Sequence, residues 1–395
     1  MVAEYRNLTG DLTLTTFVPE YLKSGNRKLI YQLFVKKKTL ARSDVVSLTN
    51  MSFPTASKSI DYFIKRGIIK ETDLMDGKVS RPGRKKHILV FNAESYAAIS
   101  LNFQGDIVEI AIVDLAGDLL FFEERPFLDY KNEKELNKLG SRVNSLINKS
   151  KIPILGVGIA LPFNIDPNSN KIISFFSNDV SSMIPLDSFL ASLVKHFSVP
   201  YFAENDVNLA AMAELFNRKD STEENLCYLS LGSGYGSGII IDGSLFLGSK
   251  FRAGEIGNML AYPVDLSKPL DEQIFPLENY INIKALNDKF HINLRKGKIE
   301  NADLRDQMIA YISPYLSMSI YNIAFFLDIS SFILDGFIPD ILGHGLMDKV
   351  GTIVNSMLSS RKRTISISRS SKSHSALIGA ALRVFDKALI DKFDD

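Results

Sequence analysis

Four short stretches beyond residue 200 bring together residue types that bind or react. Glu204-Asn205-Asp206-Val207-Asn208 follows a strand-like run and opens a helical one. Asp206 could accept hydrogen bonds from a bound hydroxyl, take its proton, or cap the helix, which is the commoner use of such residues. Residues 231–241, LGSGYGSGIII, set Gly232, Gly234, Gly236 and Gly238 at every second position after a strand. Glycine there lets backbone N–H groups approach a phosphate or a sugar, although a glycine-rich hairpin gives the same pattern. Ala253-Gly254-Glu255-Ile256-Gly257-Asn258 puts a carboxylate in a glycine-framed turn. Glu278, in Pro276-Leu277-Glu278-Asn279-Tyr280, is another carboxylate, which alone would be a surface residue.

A different chemistry is written in the first ninety residues. They hold 17 Lys/Arg and 8 Asp/Glu, a net +9, while the rest of the chain holds 29 and 37, a net −8. A basic unit joined to a mildly acidic one suits contact with a polyanion, although charge alone does not separate this from a solvated surface. Residues 26–38, NRKLIYQLFVKKK, place Leu29, Ile30, Leu33 and Phe34 on one helical face. A second helix fits Ser43–Leu48, and Thr49-Asn50-Met51-Ser52 is turn chemistry, with Asn50 suited to the left-handed conformation. Ser52 is a good N-cap and Pro54 lies in the first turn of a third helix reaching about Arg66. Its inner face is Ala56, Ile60, Phe63 and Ile64, and its outer face carries Thr55, Ser57, Lys58 and Asp61. Strand-like runs Ile68–Thr72 and His87–Phe91 flank a basic tip, Ser80-Arg81-Pro82-Gly83-Arg84-Lys85-Lys86. This order is that of a winged helix-turn-helix, with Ser52, Thr55, Ser57 and Lys58 offered by the recognition helix and Arg81, Arg84 and Lys85 by the wing. A three-helix protein-interaction module with a basic loop is the alternative.

The elements that must position the carboxylates follow. Tyr96–Phe103, Ile107–Asp114 and Asp118–Glu124 form an antiparallel meander, then come helix Glu133–Lys149, strand Ile152–Ala160, helix Leu186–His196, strand Pro200–Ala203 and helix Val207–Phe216. A similar order restarts at Leu226, with strands Cys227–Leu231, Ser237–Ile241 and Ser244–Leu247, helix Leu304–Leu327, strand Phe332–Leu334, helix Met347–Leu358, strand Thr364–Ile367 and helix Ser375–Phe385. Two similar α/β units in tandem suggest a bilobal protein with a cleft, or else two independent domains. At 395 residues, with 46% hydrophobic and 23% charged residues, the composition is globular and excludes disorder, collagen and disulfide scaffolds. The single cysteine, Cys227, excludes an internal disulfide and a multi-cysteine zinc site. With no signal-peptide layout and no apolar run of transmembrane length, a soluble cytoplasmic protein without a membrane partner is expected.

Leu40-Ala41-Arg42-Ser43-Asp44-Val45-Val46, Thr49-Asn50-Met51-Ser52, Thr55-Ala56-Ser57 and Gly67-Ile68-Ile69 resemble the amino-terminal domain of ROK-family transcriptional repressors, with Asn50 where glycine is usual. Glu255-Ile256-Gly257-Asn258 resembles that family's Glu-x-Gly-His, Glu204-Asn205-Asp206 its Glu-Asn-Asp, and Leu277-Glu278 its Leu-Glu. Gly156-Val157-Gly158-Ile159-Ala160-Leu161-Pro162 is similar to the stretch before its Pro-Gly, Asn178 to the asparagine that follows, and Ile378-Gly379-Ala380-Ala381 to the opening of its last helix. The resemblance covers about residues 26 to 385. It implies an α/β fold, a winged helix-turn-helix followed by a bilobal, actin-like (ribonuclease-H-like) sugar-kinase fold. The expected units are 1–92 for DNA binding, 93–205 with the C-terminal helix 375–395 for the first lobe, and 206–374 for the second. It also implies a sugar or sugar phosphate held by Asn178, Asn205, Asp206, Glu255, Asn258 and Glu278.

Three departures from the resembling kinases argue against catalysis. Their Asp-x-Gly-Gly-Thr, which helps hold magnesium and ATP phosphates, appears as Asn102-Phe103-Gln104-Gly105-Asp106. Their zinc site lacks its counterpart, because residues 262–277 contain no cysteine and Asn258 replaces the histidine. Their Gly-Gly facing adenosine appears as Asp335-Gly336, and the five histidines, His87, His196, His291, His344 and His374, are scattered. The expectation is a DNA-binding transcriptional repressor of carbohydrate-related genes, regulated by a sugar-derived ligand, without enzymatic activity, cofactor or metal. It would act on double-stranded DNA as a homodimer or higher homo-oligomer. The alternative is an active sugar kinase with an added DNA-binding domain.

Overall fold

The computed structural model describes residues 3–6, 12–15, 19–72, 88–173, 183–218, 224–263, 267, 269, 275–296 and 299–391. An amino-terminal hairpin of β1 (Ala3–Arg6) and β2 (Leu12–Thr15) precedes α1 (Pro19–Lys37), β3 (Thr39–Ala41), α2 (Arg42–Thr49), α3 (Phe53–Lys65), β4 (Ile69–Thr72) and β5 (Ile88–Phe91). The three helices pack together and β3, β5 and β4 form one antiparallel sheet. Asn50 takes the left-handed turn at φ 54°, and the Ser52 hydroxyl accepts the Thr55 N–H that α3 would otherwise leave without a partner. Arg42, whose match to the repressor pattern came from sequence alone, bonds Asp61 of α3 at 2.8 Å and approaches Glu71 of β4 at 3.7 Å. Two apolar positions differ from expectation. Leu29 of α1 and Leu48 of α2 are exposed, because the core is filled by Ile30, Phe34 and Val45 together with Tyr31 and Tyr62, whose hydroxyls find carbonyl partners.

The first large sheet contains β6 (Ala97–Gln104), β7 (Ile107–Asp114), β8 (Leu119–Pro126), β9 (Ile154–Leu161) and β13 (Tyr201–Asn205), with α4 (Glu133–Lys149) joining β8 to β9. Its strand order is β13-β9-β6-β7-β8, antiparallel through the meander and parallel at β6-β9-β13. A small sheet of β10 (Ile165–Asp166), β11 (Lys171–Ile172) and β12 (Ile184–Pro185) follows β9. The expected helix over 186–196 is two single turns, α5 (Leu186–Phe189) and α6 (Ala191–Val194), because Leu190 leaves the helical region at φ −97° and ψ 4°. After α7 (Asp206–Asn217) come β14 (Leu226–Leu231), β15 (Tyr235–Ile241) and β16 (Ser244–Leu245). Next are α8 (Glu278–Ile281), α9 (Ile283–Phe290), α10 (Ala302–Leu327), β17 (Ser331–Asp335), α11 (Phe337–Leu342), α12 (His344–Leu358), β18 (Ser366–Ser368) and α13 (Ser375–Phe385), which runs on as a π-helical turn Asp386–Ile390. The second sheet, β16-β15-β14-β17-β18, repeats the connectivity of the first: three antiparallel strands, then two parallel ones added beside the first of them. The tandem repeat expected from the element order is therefore present in the hydrogen bonding.

α7 packs on β14 and β15, α13 packs on β6 and β9, and the two helices pack on each other, so they form the layer between the sheets. Close approach explains two glycines. A methyl group built on Gly238 would lie 2.5 Å from the Ala211 side chain and 2.7 Å from the Val207 carbonyl oxygen, and one on Gly379 would lie 1.9 Å from the Leu209 carbonyl oxygen. The N-terminal unit is continuous with this layer. One apolar core joins Ile30, Phe34, Phe63 and Leu89 to Ala98, Val113, Leu377, Phe385 and Leu389. Complete burial of Phe34 and Phe63 contributes about 2–3 kcal/mol each. Among the described residues no helix is long and apolar enough to cross a membrane.

A substitution pair checks the layer. Gly379→Ala should force α7 and α13 apart and lower stability by about 3 kcal/mol or more. Gly351→Ala on α12, where an added methyl meets nothing within 4 Å, should be neutral or stabilising by about 0.5–1 kcal/mol. Urea midpoints of the two variants against the parent measure both.

Candidate functional site

β13 ends where α7 begins, and this junction delivers the first group of polar side chains. Asn205 is the N-cap: its side-chain oxygen accepts the N–H groups of Val207 and Asn208, each at 3.0 Å. Asn205 therefore serves the helix first, and Asp206, the first helical residue, turns one oxygen to the Val207 N–H at 2.9 Å. Burial pushes the Asp206 carboxyl up to about 7, and the nearby charge of Glu255 adds to the shift. Glu204, buried beneath, accepts the Asn205 N–H at 2.9 Å and the Asn208 amide at 3.4 Å, and desolvation raises it as well.

Glu255 comes from the second sheet's side of the cleft. It follows Gly254, which has φ +94° and an α-carbon so near β15 that an added methyl would stand 2.0 Å from the Ser237 carbonyl oxygen. Both carboxylate oxygens accept amide hydrogens, from Asn164 at 2.5 Å and from Asn258 at 3.1 Å. Glu278, in the first turn of α8, takes the Tyr235 N–H at 3.4 Å, and methyl groups built on Gly257 and Gly234 would lie 3.0 and 3.2 Å from its carboxylate. The structure thus brings Asp206, Glu255, Asn258 and Glu278 to one place, while Asn178 lies outside the described residues. Sequence reasoning missed two members. Asn164 follows β9 in an apolar context that gives no signal of its own, and it is 6% exposed. Tyr130, raised by burial and by the charge of Asp206, packs with Phe163 and Phe189 into an aromatic wall. Carboxylates that accept, amides that also donate, and aromatic faces suit a ligand with several hydroxyls.

The positions that depart from the resembling kinases make their contacts within the chain. Asn102 is 1% exposed and its amide donates to Glu109 at 2.7 Å; the second oxygen of Glu109 faces His374 Nδ1 at 3.0 Å. An aspartate at 102 would set two buried carboxylates against each other. Asp106 accepts from Arg295 at 2.9 Å, an ion pair joining the β6–β7 turn to the segment after α9. Asp335 is held by Arg369 at 3.0 Å and by the Tyr228 hydroxyl, beside Gly336 at φ +104°. The 231–241 stretch is the β14–β15 hairpin, and its Gly236 and Gly238 face α7, at Val207 and Ala211, rather than an open phosphate pocket.

The start of α3 forms a separate polar surface. Ser52, Thr55 and Lys58 are exposed and Ser57 is half-buried, whereas Arg81, Arg84 and Lys85 lie outside the described residues. Ser52 is partly occupied as a cap, bonding the Thr55 hydroxyl at 2.8 Å. Phe53, 57% exposed at the first helical position, stands among these polar groups and was not singled out from the sequence.

Comparison with known proteins gives concordant matches. The ROK family model matches residues 98–387. The xylose repressor of Caldicellulosiruptor bescii is 30% identical over 244 residues, a match that spans 60% of this chain and 59% of that protein. The xylose repressor of Bacillus spizizenii is 27% identical, covering 86% of this chain and 87% of the relative. The DNA-binding transcriptional dual regulator NagC of Escherichia coli is 21% identical, covering 91% and 92%. Among solved structures, a ROK family transcriptional regulator homologous to the Escherichia coli MLC protein superposes with a TM-score of 0.69 at 18% identity, over 94% of this chain and 97% of that one. A ROK hexokinase from Thermus thermophilus superposes with a TM-score of 0.56 at 19% identity, over 72% and 97%. These two likenesses show a shared fold.

The raised Asp206 makes stability depend on pH. The folded chain holds this proton where the unfolded chain has lost it. The stabilisation is therefore complete below about pH 4 and is lost as pH rises through about 7. Between pH 5 and pH 8 the parent should lose about 2–3 kcal/mol that Asp206→Asn retains, read as the pH slope of the urea midpoint in each protein.

Proposed function

The chain belongs to the ROK family, and from that premise we propose that it is a sequence-specific, DNA-binding transcriptional repressor of carbohydrate-related genes. Its regulator is a sugar or sugar-derived ligand bound between two lobes. The N-terminal unit is a winged helix-turn-helix. Ser52, Thr55, Ser57 and Lys58 contact DNA from α3, and Arg81, Arg84 and Lys85 contact it from the wing. The observation that carries this is the exposed polar start of α3 on a unit of net charge +9. Repressor names among relatives that align over most of the chain support it. Asp206, Glu255, Asn258 and Glu278 hold the ligand, with Asn205 orienting the start of α7 and Asn178 completing the set. Paired half-sites on DNA call for a homodimer or a higher homo-oligomer.

The protein is not a kinase under this proposal. Phosphoryl transfer needs a metal and donors that neutralise charge on the phosphate oxygens. Asn102 brings no charge for magnesium, Glu109 already uses its amide, and Asp106 sets a carboxylate where the resembling kinases have a hydroxyl. Asp206 is retained because a sugar hydroxyl can hydrogen-bond to it in either protonation state.

Two measurements test these proposals. In a salt series with duplex DNA enriched from a random pool, Lys58→Ala should weaken binding and lower the log–log salt slope by about one unit. Xylose or N-acetylglucosamine, the sugars in the relatives' names, should shift that affinity, and Glu255→Gln should abolish the shift while sparing DNA binding. In a coupled assay with magnesium, ATP and either sugar, ADP release should stay at background. Turnover that vanishes in Asp206→Asn would show an enzyme instead.

A further inference from the structure

The helix that presents Ser52, Thr55 and Lys58 carries Tyr62 one turn beyond Lys58, near its C-terminal end. Tyr62 is 7% exposed, and its ring lies between two guanidinium groups, Arg27 of α1 at 3.5 Å and Arg66 at the end of α3 at 3.6 Å from the ring centre. Cations on both faces of an aromatic ring fix its position, since each is drawn to the same electron-rich surface. The hydroxyl then points one way only, and it donates to the carbonyl of Leu389 at 2.7 Å. Leu389 belongs to the π-helical turn that continues α13, and Tyr62 donates to it from a different part of the fold.

The same two helices connect this contact to the ligand-binding residues. α7 begins at Asp206 and reaches the N-terminal unit at its other end, where the Phe216 ring lies 6.2 Å from that of Tyr31 in α1. α13 is locked to α7 at Gly379 and Leu209, and its continuation meets α1 through Lys28 and Asp386 at 3.5 Å and α3 through Leu389 and Tyr62. The two helices are closely packed on each other, and both end on the unit that carries α3.

We infer that Tyr62 is a positioning residue that couples the cleft to the recognition helix. Closure around a ligand at Asp206 and Glu255 moves α7 and α13 as one body, and the Leu389 carbonyl passes that movement to α3 through the Tyr62 hydroxyl. The inference rests on the DNA-binding function proposed above. Coupling between sites is reciprocal, so DNA on α3 must be felt at the end of α13 and at the start of α7. No effector is needed to see it.

The test is amide hydrogen exchange on the full chain, free and saturated with a duplex that the protein itself enriches from a random pool. In the parent, DNA should slow exchange about fivefold or more, the low end of measured couplings, at residues 386–391 and in the first turn of α7. Tyr62→Phe keeps the ring and the two guanidiniums and removes only the hydroxyl. It should melt within a few degrees of the parent, bind the duplex within about threefold, and lose the response at 386–391. A response that persists in Tyr62→Phe, or that is absent from the DNA-bound parent, overturns the coupling. If the protein enriches no duplex, the DNA-binding function itself fails, and the coupling with it.

Discussion

α7 and α13 approach until the Leu209 carbonyl oxygen stands where a methyl group at position 379 would be. That single contact, possible only at glycine, fixes the distance between the two large sheets, since α7 lies on one and α13 on the other. Everything of functional interest hangs from the two helices. The start of α7 bears Asp206 beneath Glu255, the start of α13 follows His374 with its bond to Glu109, and the far ends of both meet the N-terminal unit. Direct packing thus joins the start of α7 to the N-terminal unit.

The two ends of the cleft have been treated differently by the sequence. At one, carboxylates and amides satisfy each other loosely: Glu255 accepts from Asn164 and Asn258, yet each of its oxygens keeps a lone pair that a hydroxyl can use. At the other, buried Asn102 and Glu109 are hydrogen-bonded to each other and Glu109 to half-buried His374, and Arg295 pairs with exposed Asp106.

What the sequence made legible was what local rules decide. Asn50, Ser52 and Pro54 announce a left-handed turn, a cap and a first helical turn, and each is found in that role. The repeated strand order could be anticipated from the order of elements, and the grouping of Asp206, Glu255, Asn258 and Glu278 is what the resemblance to the ROK family implies. Long-range geometry could not. Asn164 has no neighbour in sequence that marks it, and it becomes a partner of Glu255 only when residues 91 apart are brought together. Gly236 and Gly238 had the spacing of a phosphate loop, but their absent side chains make room for α7. Tyr62 was not singled out from the sequence, and its hydroxyl meets a carbonyl 327 residues away.

That last contact has a consequence for how the protein is made. Tyr62 and Leu389 are 327 residues apart, and the core beneath α3 is shared with Leu377, Phe385 and Leu389. Ribosomes add about 5–20 residues per second, so roughly 16–65 s pass between synthesis of the two partners. Throughout that interval the core beneath α3 lacks the contribution of Leu377, Phe385 and Leu389. It reaches its final packing only when the last segment of the chain docks. A chain that stops before α13 therefore lacks the apolar residues that complete the packing of α3.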